Sequence, residues 1–135
     1  MVEFFIPGLP TAKGRPKFAV RGGFARAYTP KKTVDYEKLV AQYGRIAIAT
    51  PLDGPLCVDL TFTLPIPAST PKKRALELLN GPHQKKPDLD NMCKSVTDGL
   101  NGMAYADDSQ IYDLHARKVY GHEVGVLVRI WPDTC

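Results

Sequence analysis

The segment from Lys86 to Gly102 constrains the fold most strongly, because it joins a dense group of carboxylates to a helical pattern. Apolar residues recur in it at spacings of three and four, which is typical of one amphipathic helix. These residues are Leu89, Met92, Val96, Leu100 and Met103. Because Pro87 precedes the pattern and Asn101-Gly102 follows it, we expect a short helix with clear ends and an aspartate as its N-cap.

The carboxylates at the start of this helix predict a metal site. In an extended chain, the side chains of Asp88 and Asp90 point the same way. A third carboxylate, from Asp107 or Asp108, would return to them after the helix. Such a set suits magnesium, which takes oxygen ligands, keeps waters and accepts phosphate oxygens. Lys94, one helical turn after Asp90, would face the same pocket as a positive charge for a phosphate.

A purely structural interpretation of these residues is also open. Asp88 or Asp90 can serve only as a helix cap, and Asp90 with Lys94 can form a solvated ion pair worth about 0.3–0.5 kcal/mol. An isolated Asp-x-Asp pattern favours this second interpretation. Spacing alone therefore does not establish metal binding.

Several separately placed motifs occur together in this half of the chain. They are Lys86-Pro-Asp-Leu-Asp-Asn, Lys94, Asp98-Gly-Leu-Asn-Gly and Tyr105-Ala-Asp-Asp-Ser-Gln-Ile. The combination resembles the RusA family of Holliday junction resolvases, which are small metal-dependent endonucleases of bacteria and their prophages. Weaker similarity extends to Lys13-Gly-Arg-Pro-Lys and Tyr28-Thr-Pro, so most of the chain resembles the family.

The resemblance implies a magnesium-dependent homodimer, with manganese as a possible substitute for magnesium. Its substrate would be four-way junction DNA, cut by paired symmetric nicks in recombination and repair. Asp88, Asp90 and Asp108 would hold the metal, and Lys94 would complete the catalytic group. No membrane and no nucleotide cofactor is expected.

Basic residues cluster in two places before the carboxylates in the sequence. Five cations and two phenylalanines lie between Thr11 and Ala27, around the turn-like Gly22-Gly23, which predicts a hairpin or an irregular arm. This arm would grip phosphates and stack on bases, or it would be an exposed hairpin with two core-facing rings. The candidate DNA contacts are Lys13, Arg15, Lys17, Lys85 and Lys86.

The remaining pattern predicts a single α+β domain over residues 1–135, with three helices and a mixed or antiparallel sheet of about four strands. The expected strands are Val2 to Ile6, Cys57 to Leu64, Gln110 to Tyr120 and Val124 to Trp131. The last two are expected to form an antiparallel hairpin. Thr29 and either Ser69 or Thr70 are the expected caps of the other two helices, each followed by a proline.

Composition limits the function classes without selecting one. A formal net charge of +4 over 135 residues suits a polyanionic partner but supports nucleic acid only weakly. Cys57, Cys93 and Cys135 lie far apart in the sequence, which argues against a disulfide framework or a structural zinc site and favours a reducing compartment. No stretch approaches the ~20 apolar residues that cross a bilayer. We therefore expect a soluble, cytoplasmic protein.

Three functions remain as hypotheses. The first is the junction resolvase. The second is a non-catalytic, basic DNA-binding module with a structural acidic cluster, which explains the cations but not the assembled carboxylates. The third is a metal-dependent glycosyltransferase in which Asp-x-Asp binds a nucleotide sugar, a reading that the small domain without a doubly wound pattern disfavours.

Overall fold

Alternating apolar residues form the strands of this protein, and apolar residues three and four apart form its helices. The computed structural model describes residues 1–15 and 17–133, apart from the side chain of Arg21. Cys135, one of the three cysteines for which no disulfide framework is expected, lies outside the described residues. Within that part of the chain the elements, in order, are β1 (Val2–Pro7), β2 (Lys17–Arg21), β3 (Phe24–Tyr28), α1 (Lys31–Ala47), β4 (Leu56–Leu64), α2 (Lys72–Leu78), α3 (Leu89–Leu100), a 3₁₀ turn (Asp108–Gln110), β5 (Ile111–Tyr120) and β6 (Gly125–Pro132). The predicted α+β class with three helices is confirmed.

The main sheet has four strands in the order β1-β6-β4-β5 and is mixed. β6 pairs antiparallel with both β1 and β4, whereas β5 pairs parallel with β4. The predicted hairpin of β5 with β6 is therefore wrong, because β4 lies between them. The physical reason is burial. β4 is buried or half-buried along its whole length, and a strand this apolar is stabilised most in an inner position of the sheet.

The second sheet is the predicted hairpin. β2 and β3 pair antiparallel, with Arg21 opposite Phe24, and the turn uses the positive φ values of Gly22 and Gly23, 59° and 83°, which glycine adopts without steric cost. The alternative that its rings face the core is wrong, since Phe18 and Phe24 are both 74% exposed. In the part of the chain that is described, the hairpin strands make extensive contacts only with each other.

Helix α3 is held against the core by α1. Met92, Val96 and Leu100 of α3 are fully or almost fully buried, and α1 packs on both α3 and β1. Gly99 permits this close approach, because a Cβ atom built there would lie 2.9 Å from the Cβ atom of Val40. The exposed face of α3 is therefore fixed relative to the sheet.

The helix ends differ in part from expectation. α1 and α2 begin after Pro30 and Pro71, which occupy the cap positions, and neither helix has a side-chain cap. The caps predicted at Thr29 and at Ser69 or Thr70 are therefore wrong. Proline favours the extended backbone that a cap requires, here φ −55° and ψ 143° at Pro30. No helix among the described residues combines the length and apolarity that a membrane crossing needs.

Candidate active site

Helix α3 carries the centre of the site on the face opposite its buried stripe. Asp90, Lys94 and Asp98 follow one another at intervals of four residues, so they lie along one side of the helix. Asp88 stands immediately before the helix, in the N-cap position. The predicted line of Asp90, Lys94 and Asp98 along one helix face is therefore found. The predicted extended segment through Asp88 and Asp90 is wrong, because the helix begins at Leu89 and Asp90 lies in its first turn.

Asp88 does not act as a side-chain cap. Its backbone is extended, with φ −71° and ψ 138°, and its carboxylate makes no capping hydrogen bond. The carboxylate is about half exposed, and the Lys86 ammonium lies 3.7 Å from it. The purely structural interpretation of Asp88 thus lacks its expected hydrogen bond, and the carboxylate oxygens remain accessible.

Lys94 connects α3 with the acidic pair that follows it in sequence. Its Nζ lies 3.0 Å from Oδ1 of Asp98 and 3.9 Å from Oδ2 of Asp108. Within the described residues Asp90 forms no ion pair with Lys94. The alternative of a simple ion pair between Asp90 and Lys94 is therefore not found. The predicted proximity of Lys94 to Asp108 is found.

Asp98 bridges two lysines from distant parts of the chain. Its Oδ2 lies 3.2 Å from Nζ of Lys13, which is also bonded to Oε1 of Glu37 at 2.5 Å. Burial would lower the pKa of Lys13, but these two carboxylates raise it above the usual 10.5. The stability gained from the Lys13 charge is therefore complete below pH 10.5 and is lost as the pH rises through the raised pKa.

Backbone contacts bring Lys13 to this position. The Lys13 N–H donates to the Asn91 carbonyl at 2.8 Å, and the buried Ser95 hydroxyl donates to the Thr11 carbonyl at 2.5 Å. The Gly14 N–H donates to Oγ1 of Thr33 at 2.9 Å. The segment before the hairpin is thus fastened to both α3 and α1. Lys13 was predicted to contact DNA, and its ammonium is here already paired with two acids.

The two neighbouring aspartates after α3 have different environments. Asp107 caps the 3₁₀ turn: its carboxylate accepts from the Ser109 hydroxyl at 2.6 Å and its N–H donates to Oε1 of Gln110 at 3.1 Å. The Ser109 hydrogen bond is the main reason that the pKa of Asp107 is below its usual value. Asp108 instead faces Lys94. The local hydrogen bonds therefore favour Asp108 over Asp107 as the functional carboxylate.

Tyr105 supports the same region from inside. It is fully buried, and its hydroxyl donates to the Thr97 carbonyl of α3 at 2.7 Å. Burial, followed by the nearby charges of Asp108 and Asp98, raises the pKa of this phenol far above its usual value. Tyr105 therefore stays neutral and fixes the chain that leads to Asp108.

The loop that carries Asp88 is fastened to β5. Nζ of Lys118 donates to the Pro87 carbonyl at 2.8 Å and to the carbonyl of Lys85. The side chains of Lys85 and Lys86 remain exposed. The contacts made by Lys118, Glu37 and Asp98 were not predicted from the sequence, because each of them involves a residue far away along the chain. For Asp98 alone there was a local signal, its position four residues after Lys94.

The remaining predicted DNA contacts are exposed cations. Arg15 and Lys17 are exposed, at the base of the hairpin, and Lys85 and Lys86 are exposed beside Asp88. Pro16, part of the basic motif, lies outside the described residues. Among the described residues, Lys86 is the one of these four cations with an ion pair to a site carboxylate, that of Asp88. DNA contact by each of them remains a prediction.

The donor chemistry of the site fits a hard divalent cation. Asp88, Asp90 and Asp108 offer carboxylate oxygens, and all three are at least partly exposed. In residues 1–15 and 17–133, however, no three Asp, Glu, His or Cys side chains are close enough together to hold one metal ion. Magnesium needs only one or two protein carboxylates and takes its other ligands from water and phosphate. The residues therefore fit an ion completed by substrate better than a closed protein cage.

Comparison with known proteins identifies the family. The model of the endodeoxyribonuclease RusA family matches residues 7–131. A relative from Bacillus subtilis (strain 168), the uncharacterized protein YqaN, is 36% identical over 137 residues, which cover 96% of this chain and 94% of the relative. The range matched by the family model spans the acidic segment, α3 and the later aspartate pair, and the family match confirms the resemblance seen in the motifs. The chain therefore belongs to the RusA endodeoxyribonuclease family.

Proposed function

We propose that this protein is a magnesium-dependent endodeoxyribonuclease that resolves Holliday junctions by paired symmetric nicks. Family membership supports endonuclease action on junction DNA. The observation that carries the proposal is that Lys94 lies 3.9 Å from Asp108. Lys94 is on α3, the helix that also carries Asp90, whereas Asp108 comes from the turn that follows it. An ammonium beside accessible carboxylates suits phosphodiester hydrolysis.

One or two of Asp88, Asp90 and Asp108 would hold magnesium, or manganese in its place, and water and phosphate oxygens would supply the other ligands. Such an ion, when bound, supplies a water of lowered pKa and a positive charge against the phosphate. Lys94 would donate to the phosphate or to the leaving oxygen as negative charge develops. Asp98 would hold the Lys94 ammonium at this place through their contact at 3.0 Å.

We further propose that the protein acts as a homodimer. A four-way junction has approximate twofold symmetry, and two matched nicks need two identical sites. The exposed cations Arg15, Lys17, Lys85 and Lys86 would bind phosphates around each site. A reducing cytoplasm would be the natural location for such an enzyme, and Cys57 and Cys93 are free and buried.

The test is the change Asp90→Asn, which removes one negative charge without changing the side-chain volume. We expect cleavage of a mobile four-way junction to fall by at least about 100-fold, while binding is retained or tightened because a charge that repels phosphate is lost. Gel analysis of both strands, with and without magnesium, measures paired incision. Asp35→Asn, an exposed change on α1, is the matched control and should cleave normally.

Two results would contradict this proposal. Unchanged cleavage by the Asp90→Asn variant would remove Asp90 from the site. Tight junction binding by the native protein, with no incision in magnesium or manganese, would favour the non-catalytic DNA-binding module. The family match gives no support to the glycosyltransferase hypothesis.

A further inference from the structure

A groove of about 690 Å³ adjoins the acidic centre. One side is formed by residues 9–14 and the first turn of α1, and the other by residues 64–67 and the loop 83–88. Its volume lies within the range of about 300–1,000 Å³ that is typical of small-ligand pockets. Asp88 lines one part of it, so the groove and the candidate active site share a residue.

The walls of the groove are largely apolar and contain flat rings. The rings of His83 and Tyr120 lie with their centroids 4.7 Å apart, and prolines from four separate segments line the groove with them. The prolines are Pro10, Pro30, Pro65, Pro67 and Pro87. Burial, followed by the charges of Lys118 and Lys85, lowers the pKa of His83, so its ring is neutral at pH 7. Tyr120 is only 5% exposed and packs against the His83 ring, so the prolines and the partly exposed His83 ring are the flat surfaces that suit the face of a nucleobase.

The rim of the groove is positively charged. Lys32, Lys85 and Lys86 line it, and Asp88 is the one carboxylate among its described lining residues. The first turn of α1, where Lys32 lies, contains no acidic residue and has no side-chain cap. The first N–H groups of a helix lack intrahelical acceptors, and the helix dipole there favours an anion. Charge and shape together therefore fit a phosphate attached to an apolar ring.

We propose that this groove binds one unstacked nucleotide of the DNA strand, with its phosphate at the first turn of α1 and its base against the proline and ring walls. This inference rests on the proposed function, because Asp88 belongs to both sites. A strand that places one phosphate at the acidic centre continues with its neighbouring nucleotide into the groove. The groove would then contribute to the choice of nucleotide beside the cut.

Two adjacent lysines give a matched test. Lys31 and Lys32 are both exposed in the first turn of α1, but only Lys32 lines the groove. Lys32→Gln should weaken binding of a fluorescein-labelled thymidine hexanucleotide by about tenfold, as expected for one lost charged hydrogen bond. Lys31→Gln should change it by about twofold or less. Fluorescence anisotropy in EDTA measures this binding without cleavage.

The base contact has its own probe. A hexanucleotide of abasic units keeps the phosphates but has no bases, and it should bind the native protein about tenfold more weakly than the thymidine hexanucleotide, since the stacking of one base is lost. Equal affinities for the two probes would overturn the base contact. Equal losses in the Lys31 and Lys32 variants would overturn the phosphate contact at the groove.

The same measurements separate the groove from the proposed cleavage. If the groove results hold but no junction is cut, the proposed function fails and the groove remains a nucleotide-binding site. If junctions are cut normally and the Lys32 variant behaves like the Lys31 variant, the groove assignment fails alone. Thymidine monophosphate binding as tightly as the hexanucleotide would overturn a DNA strand as the occupant.

Discussion

The acidic centre on α3 and the β2–β3 hairpin hold their charges in opposite ways. At the centre, Lys13 and Lys94 are both paired with Asp98, and the helix beneath them is buried against the core. On the hairpin, Lys17 and Arg26 form no ion pair with any described residue, and both side chains are exposed. The comparison shows that ion pairs fix the lysines of the acidic centre in place, whereas the cations of the hairpin remain available to contact another molecule.

The largest expected effect is on catalysis at the centre. Lys94→Ala should lower kcat for junction cleavage by about 100-fold or more, because a charge that stabilises the transition state is removed. Junction affinity should change by only about threefold, since one phosphate contact is a small part of binding. Single-turnover cleavage and a separate binding titration give the two values. If the variant lost junction affinity but kept its kcat, Lys94 would behave like a hairpin cation, and the difference between the two regions would be contradicted.

The second expected effect is on stability. Gly99→Ala places a methyl group 2.9 Å from Val40 Cβ and 3.1 Å from the Glu37 carbonyl oxygen. Overpacking of this kind costs about 1–3 kcal/mol, and urea unfolding should show it. Gly22→Ala in the hairpin turn meets no atom within 4 Å, although its φ of 59° costs the alanine about 1 kcal/mol. A greater loss of global stability from Gly22→Ala would contradict the view that the hairpin lies outside the core.

The third prediction concerns Asp98 as a positioning residue. Asp98→Asn keeps the side-chain shape but removes the charge between Lys13 and Lys94, and we expect kcat to fall by about tenfold with KM nearly unchanged. Asp98→Glu should recover part of the lost kcat, because it restores the charge. A merely structural role would instead lower the midpoint of thermal unfolding in both variants without this split.

The smallest effect is expected on the hairpin. Replacing Lys17 and Arg26 together by glutamine should weaken junction binding a few-fold and reduce the slope of log affinity against log salt by about two. The kcat at saturating junction should not change. Raising salt from about 50 to 200 mM should weaken binding of the native protein steeply if several phosphates are contacted. An unchanged slope in the double variant would remove the hairpin from the DNA interface.

Most individual elements could be predicted from the sequence, because their signals are local. The period-two pattern of β4 and the apolar spacing of α3 indicate which side of each element is buried. The bounds of the elements in the structure differ from the expected ones by a few residues. Strand pairing could not be predicted in the same way. β5 and β6 are neighbours in the chain and satisfy every local sign of a hairpin, yet β4 separates them.

In the candidate site, too, the local features could be predicted from the sequence and the long-range contacts could not. By itself, the sequence determined which side chains stand where along the chain: carboxylates at the entrance of a bounded helix, a lysine one turn later, and a second acidic pair, since these depend only on spacing. Only the tertiary structure decided that Lys13 is joined to Asp98 and Glu37, that Asp107 caps a turn while Asp108 faces Lys94, and that Lys118 holds the loop before Asp88. The physical reason is that each of these contacts exists only after core burial has brought distant segments together.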